Sequence, residues 1–201
     1  MLLGGLLLQL AMTVSARAAV DPADSARLDR GAILVSRPNS GMRGVAGGQA
    51  RGVIEAPIGR VWEVLNKSNE FSEYMPRYLV SWLVDSGVLD GLPDEVSRVG
   101  VEKVAESLRL DSWIGDTVYF YNVLDMPFPI SDRWYLLRMT RDHASHKIDW
   151  TQVVGNTRVN FGSWHLEPLG VGDRTVATYT TFSDPGIMLP GFVTRIGLDY
   201  A

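Results

Sequence analysis

The residues that could do chemistry in this sequence are His143, His146, His165, Glu55, Asp132, Arg133 and a scatter of tyrosines. A catalytic centre needs ionisable groups that converge, and these are spread thinly. His143 and His146 lie three apart in the polar turn of residues 141–147, where solvated imidazoles belong, and no third ligand stands near them for a metal. His165 shares a strand face with Phe161, Ser163 and Glu167, which reads as a surface or rim position. Asp132 and Arg133 are adjacent in a strand and so point to opposite faces. Cysteine is absent, which excludes disulfides, thiol catalysis, a lipidated cysteine and Cys-ligated metal. Gly41, Gly44, Gly47 and Gly48 lack the order of a phosphate loop, and no Gly-Lys-Ser/Thr follows them. We therefore assign no catalytic residue, no metal and no cofactor from the sequence.

A second chemistry is better supplied. Tyr119, Tyr121, Tyr135, Trp150 with Gln152, Trp164 and Tyr179 all fall in strand-like runs, and together they offer aromatic surface with an occasional hydroxyl or amide. On one concave surface they would hold a lipid, sterol, quinone or polycycle by apolar burial of about 25 cal/mol per Å². Which of them face inward depends on strand parity, because a slip of one residue inverts the set.

These side chains need strands to hold them. Residues 118–124 and 134–139 are apolar on both faces and are joined by Met126-Pro127-Phe128-Pro129-Ile130-Ser131-Asp132-Arg133. Two prolines remove two backbone donors, so this segment is a corner between neighbouring antiparallel strands. Upstream, residues 50–55 form a short strand. Ala56-Pro57 opens a helix whose stripe is Ile58, Val61, Trp62 and Leu65. A second short helix, capped by Ser68 or Asn69, runs through Phe71, Tyr74 and Met75 and stops at Pro76. Residues 78–87 are the next strand. Residues 92–109 read equally well as helix or strand. Residues 147–154 alternate, with Ile148, Trp150, Gln152 and Val154 on one side. Turn signals at Gly155-Asn156 and Gly172-Asp173 bound strands over 158–169 and 175–183.

The Pro-x-Pro-x-Ser-Asp-Arg corner, the run Gly162-Ser163-Trp164-His165-Leu166-Glu167-Pro168-Leu169, and Asp184-Pro185-Gly186 followed by Leu189-Pro190-Gly191-Phe192 resemble the START-like helix-grip (SRPBCC) superfamily. That superfamily includes lipid-transfer START domains, the coenzyme-Q-binding START domain and bacterial polyketide cyclases. The resemblance implies an α+β fold: a curved antiparallel sheet of six to seven strands, two short N-terminal helices, and a C-terminal helix across the concave face. It also implies one charged group meeting a ligand's polar end, for which Arg133 is the candidate. The closing helix would have only Phe192, Val193, Ile196 and Tyr200 as its apolar stripe, which implies either a more open pocket or a chain that continues. The expected function is binding, and transport, of a hydrophobic small molecule, with transient membrane contact. The alternative is a cyclase or aromatase in which Arg133, a tyrosine or His165 assists proton transfer.

At 201 residues, 46% hydrophobic and 21% charged, the composition suits one globular domain. A net charge of −4 without a Lys/Arg cluster gives no reason to expect nucleic acid as a partner. Residues 2–14 are apolar apart from Gln9, and Ala16-Arg17-Ala18 is a small-x-small pattern, so residues 1–18 read as a signal peptide. Cleavage after Ala18 would leave 18 basic against 23 acidic residues. The other reading is a membrane anchor, although the segment falls short of the roughly 20 apolar residues a span needs. Residues 19–43 read as a linker or N-terminal arm and 44–201 as the START-like domain. Oligomeric state is not legible.

Overall fold

The computed structural model describes residues 22–128 and 130–184. The segments expected to be a signal peptide and a closing helix lie outside them. Among the described residues nine antiparallel strands form one sheet in the order β1-β2-β9-β8-β7-β6-β5-β3-β4. Seven are long: β2 (Ala46–Ile54), β3 (Tyr78–Val84), β5 (Thr117–Leu124), β6 (Arg133–Asp142), β7 (Lys147–Gly155), β8 (Val159–Leu169) and β9 (Arg174–Asp184). The other two, β1 (Leu34–Ser36) and β4 (Arg109–Leu110), are short edges. The α+β class and the curved antiparallel sheet are as expected, and the two short edges account for the larger strand count. β5 and β6 are neighbours across the proline corner, from Thr117 opposite Thr140 to Leu124 opposite Arg133.

The arm is not featureless. Helix α1 (Pro22–Asp29) buries Leu28, and Arg174 reaches Asp29 at 3.3 Å, while β1 pairs with β2. Its polar composition hid a helix with few apolar positions to bury, which tertiary contact stabilises.

The two sides of the sheet are covered differently. On the inner face lie α2 (Ile58–Asn66), a 3₁₀ turn (Ser68–Glu70) and α3 (Phe71–Tyr74). Val61, Trp62, Leu65 and Phe71 pack there against Phe120, Leu137, Ile148 and Leu166. Neither Ser68 nor Asn69 caps α3. Ser68 is buried and donates to Leu65 O, and Asn69 donates to Asp111 O. His143 and His146 clasp Trp62: its indole N–H donates to His143 Nδ1 at 3.1 Å, and both imidazoles meet the ring edge-on. Among the described residues no group of His, Asp and Glu is placed to hold a metal.

On the outer face α4 (Arg98–Ser107) resolves the ambiguity of residues 92–109 in favour of a helix. Ser97 caps it by accepting from Gly100 N, and Val101 and Ala105 are its buried stripe. It covers Tyr119, Tyr121, Val123, Trp134 and Leu136. Arg98 holds Asp132 at 3.3 Å, so Asp132 points to this side and Arg133 to the other.

Two bulges set strand parity. Leu79 is extra in β3 opposite β5, and Val153 is extra in β7 opposite β6. Both are more than two-fifths exposed. The alternation expected through residue 154 therefore breaks. Leu137 opposes Gln152, but Leu136 opposes Val154, which packs on the outer face.

Candidate functional site

A slot with a cavity volume of about 40 Å³ opens between α2, α3 and the inner face of the sheet. It is narrow, so that a water-sized body reaches only a small part of it. Leu65, Ser68 and Phe71 form one wall; Phe120, Leu137, Met139 and Ile148 form much of the other.

The aromatic wall is built by register. Trp150 lies opposite Gly162, Trp164 opposite Tyr179. A side chain at Gly162 would collide with both Thr180 O and the Trp150 ring, so the glycine lets the indole lie flat on β8. Trp150 stacks on Tyr179 with ring centres 5.4 Å apart, and Tyr179 in turn meets Trp164 at 4.6 Å. The Trp150 indole N–H donates to Asn160 Oδ1 at 3.1 Å.

The polar groups are amides and phenols. The side-chain amides of Asn160 and Asn122 lie by the Tyr135 phenol and favour its ionised form, a smaller effect than burial. Burial pushes the Tyr135 phenol far up from its ordinary value, and the neighbouring Tyr179 adds to it. Tyr78 is raised by burial and then by the nearby Tyr135 and Tyr179, and Tyr179 is raised by burial. These three phenols stay protonated through the neutral range. Asn122 is 1% exposed, and its Oδ1 has no hydrogen-bond partner among the described residues.

Of the residues expected from sequence to bind ligand, Tyr135, Trp150, Trp164 and Tyr179 line the slot. Tyr119 and Tyr121 do not. They sit on the outer face beneath α4, where Tyr121 donates to Glu102 Oε2 at 3.1 Å. The physical reason is parity: β5 is apolar on both faces, and α4 supplies the second cover. Gln152 is also diverted, donating to Thr157 O at 2.8 Å and accepting the Thr157 hydroxyl across the β7–β8 turn. Arg133 has inner-face parity with Tyr135 and is 6% exposed, yet it does not line the slot. Its Nη1 turns back to Ser131 O and Oγ, and its Nε has no partner. His165 is half-buried on the opposite face of β8 from Trp164.

Sequence reasoning missed Tyr78, Phe120, Asn122 and Asn160, and the contribution of α2 and α3. For Asn122 a signal existed: an amide in the middle of an apolar strand must find a partner or a ligand.

The family described as polyketide cyclase / dehydrase and lipid transport matches residues 54–199. No curated protein matches. Solved structures with a similar fold include a STAR-related lipid transfer protein (fragment 25–204) from Xanthomonas axonopodis. It is 17% identical, covers 83% of this chain and 84% of that one, and has a TM-score of 0.58. Human STARD10 is 13% identical over 90% of this chain and 75% of its own, with a TM-score of 0.52. A Thermus thermophilus protein is 14% identical over 77% and 83%, also at 0.52. At these identities the three structures speak for the fold alone, whereas the family match spans most of the sequence and both walls of the slot. The chain belongs to the polyketide cyclase / dehydrase and lipid transport family.

Proposed function

We propose that the protein binds one hydrophobic small molecule in the slot between α2, α3 and the sheet, and that it carries this molecule without making or breaking a bond. The observation that carries the reading is the slot's wall: a buried aromatic and aliphatic lining, broken only by uncharged polar groups. Such a lining rewards burial of apolar surface at about 25 cal/mol per Å² and cannot compensate a charged ligand. Membership of a family that includes lipid transport supports it.

The family also includes cyclases and dehydrases, and a cyclase would use the same slot. That chemistry needs a group that takes up a proton near neutral pH. The described residues against the slot offer amides, a serine and phenols, and the phenols of Tyr78, Tyr135 and Tyr179 are held protonated. Donors of this kind can orient a carbonyl, so the balance favours binding over proton transfer.

We further propose that the protein is exported and meets membranes transiently. The apolar run of residues 2–14 and the Ala16-Arg17-Ala18 pattern support export. Among the described residues no helix is long and apolar enough to cross a membrane.

One preparation tests these readings. The protein is expressed in an exporting bacterial host, purified, weighed intact, and extracted with organic solvent for mass spectrometry beside a protein-free control. A stoichiometric lipid, quinone or polycycle and a mass beginning at Ala19 are expected. A folded, empty protein that also fails to take up any such compound on titration would overturn the carrier reading, and an uncleaved N-terminus would overturn export.

A further inference from the structure

The slot is too small for the ligand that its lining invites. Its cavity is about 40 Å³, whereas a site for a drug-sized molecule encloses about 300 Å³ or more. One wall therefore moves. The strands of the sheet wall, β5 to β9, are each paired on both sides, so the wall that gives is the one formed by α2 and α3.

Among the described residues two side-chain hydrogen bonds latch α2 to β6 and the turn after it. Arg141 Nη1 donates to Asn66 Oδ1 at 2.6 Å, and the Trp62 indole N–H donates to His143 Nδ1 at 3.1 Å. The second bond holds only while His143 is neutral, because a protonated Nδ1 is itself a donor and would face the indole N–H. The turn cannot back away. Ala144 N and Ser145 Oγ donate to the Asp142 carboxylate, and His146 O accepts from Leu166 N. The imidazole can turn, since its side chain is more than half exposed, and Asp116 receives its charge: Oδ1 lies 3.8 Å from His143 Nε2 and equally far from Arg141 Nε. The other charges nearby are paired among themselves, Arg60 with Glu63 on α2 at 3.0 Å and Lys147 with Asp149 on β7 at 2.8 Å. His146 touches the Trp62 ring edge-on, and no hydrogen bond joins them among the described residues.

We propose that His143 is a proton-operated latch: its protonation frees Trp62, lets α2 move off the sheet and opens the slot to its hydrophobic ligand. This deepens the carrier reading and rests on it. The ligand needs the open form and the proton favours it, so each raises the affinity for the other. Loss of one neutral hydrogen bond raises the open population roughly 3- to 10-fold, and apparent affinity rises in proportion while the open form is the minor one.

N-Phenyl-1-naphthylamine, a neutral apolar fluorophore, is titrated into the purified protein from about pH 8 down to about pH 5.5, across the range in which imidazoles take up a proton. Near-ultraviolet circular dichroism at each pH shows that the fold persists. Wild-type affinity is expected to rise roughly 3- to 10-fold. In His143→Asn the side-chain Oδ1 can accept from the indole but does not titrate, so affinity should stay at its high-pH value. In His146→Asn the rise should persist. The Trp62 indole N–H signal in a nitrogen-15 NMR spectrum gives a reading that needs no variant, and it should shift over the same pH range as the affinity. An affinity that ignores pH, a rise that survives in His143→Asn, or an indole signal that stays still would overturn the latch and leave the hydrophobic slot standing. A probe that binds at no pH would overturn the latch together with the slot reading beneath it.

Discussion

Gly162→Ala is the sharpest perturbation of this site, because one methyl group should act on both the sheet and the slot. A Cβ built there would lie 2.2 Å from Thr180 O and 2.4 Å from Trp150 Cζ2. The Thr180 carbonyl belongs to β9, which is paired on both sides and has little freedom to retreat. The indole is the softer partner, and must move by about 1 Å to restore ordinary contact at 3.4 Å. That movement breaks the bond to Asn160, worth about 1 kcal/mol, and disturbs the stack on Tyr179, worth a similar amount. Overpacking adds about 1 to 3 kcal/mol. The expected loss is therefore about 3 to 5 kcal/mol, or a fall of roughly 1.5 to 2.5 M in the urea midpoint at a slope of about 2 kcal/mol/M. The displaced ring also enters the slot, so ligand affinity falls even where the variant remains folded. A double-mutant cycle with Trp150→Leu isolates the ring's share, since the substitution should then cost less by about 1 kcal/mol or more. An unchanged midpoint, or the same loss with and without the Trp150 ring, would refute this account of how Gly162 seats the indole.

Tyr121→Phe removes the bond to Glu102, and with Glu102 still paired to Arg98 it should cost about 1 kcal/mol while leaving ligand affinity unchanged. A marked loss of binding in calorimetry would contradict its placement beneath α4. Arg133→Met replaces a buried guanidinium whose one hydrogen-bond partner among the described residues is Ser131, so stability in urea should hold or rise by about 1 kcal/mol. A loss beyond roughly 2 kcal/mol would mean that the Ser131 contacts pin the proline corner. Tyr78, Tyr135 and Tyr179 are raised above the ordinary 10.0, so the unfolded chain gives up these protons first. Their stabilisation is intact below about pH 10 and is lost progressively as pH rises above it. Tyrosinate absorbance and circular dichroism measured together should show them ionising only as the fold melts, and a reversible single-step titration of all tyrosines near pH 10 with native dichroism would contradict this.

Much of the frame was legible because it rests on local rules. Pro127 and Pro129 cannot pair in a sheet, so the corner and the antiparallel neighbours β5 and β6 followed from composition alone. The Ile58, Val61, Trp62, Leu65 spacing gave α2 its buried face, and the strands over 147–154, 158–169 and 175–183 emerged from alternation and turn residues with little error. Tyr135, Trp150, Trp164 and Tyr179 were also within reach, since large rings in long strands must be buried against something.

What the tertiary structure alone decided is which side of the sheet each residue faces. Tyr119 and Tyr121 look like pocket residues in sequence, and Asn122 between Tyr121 and Val123 looks incidental. The order inverts because α4 covers the outer face and leaves the even positions of β5 to the slot. The single extra residue at Val153 ends the alternation of β7, and Gln152 is taken by Thr157 from the next turn. Strand periodicity records that two faces exist. Only the packing of helices separated by some 40 residues of chain determines which face is filled and which is left open to a ligand.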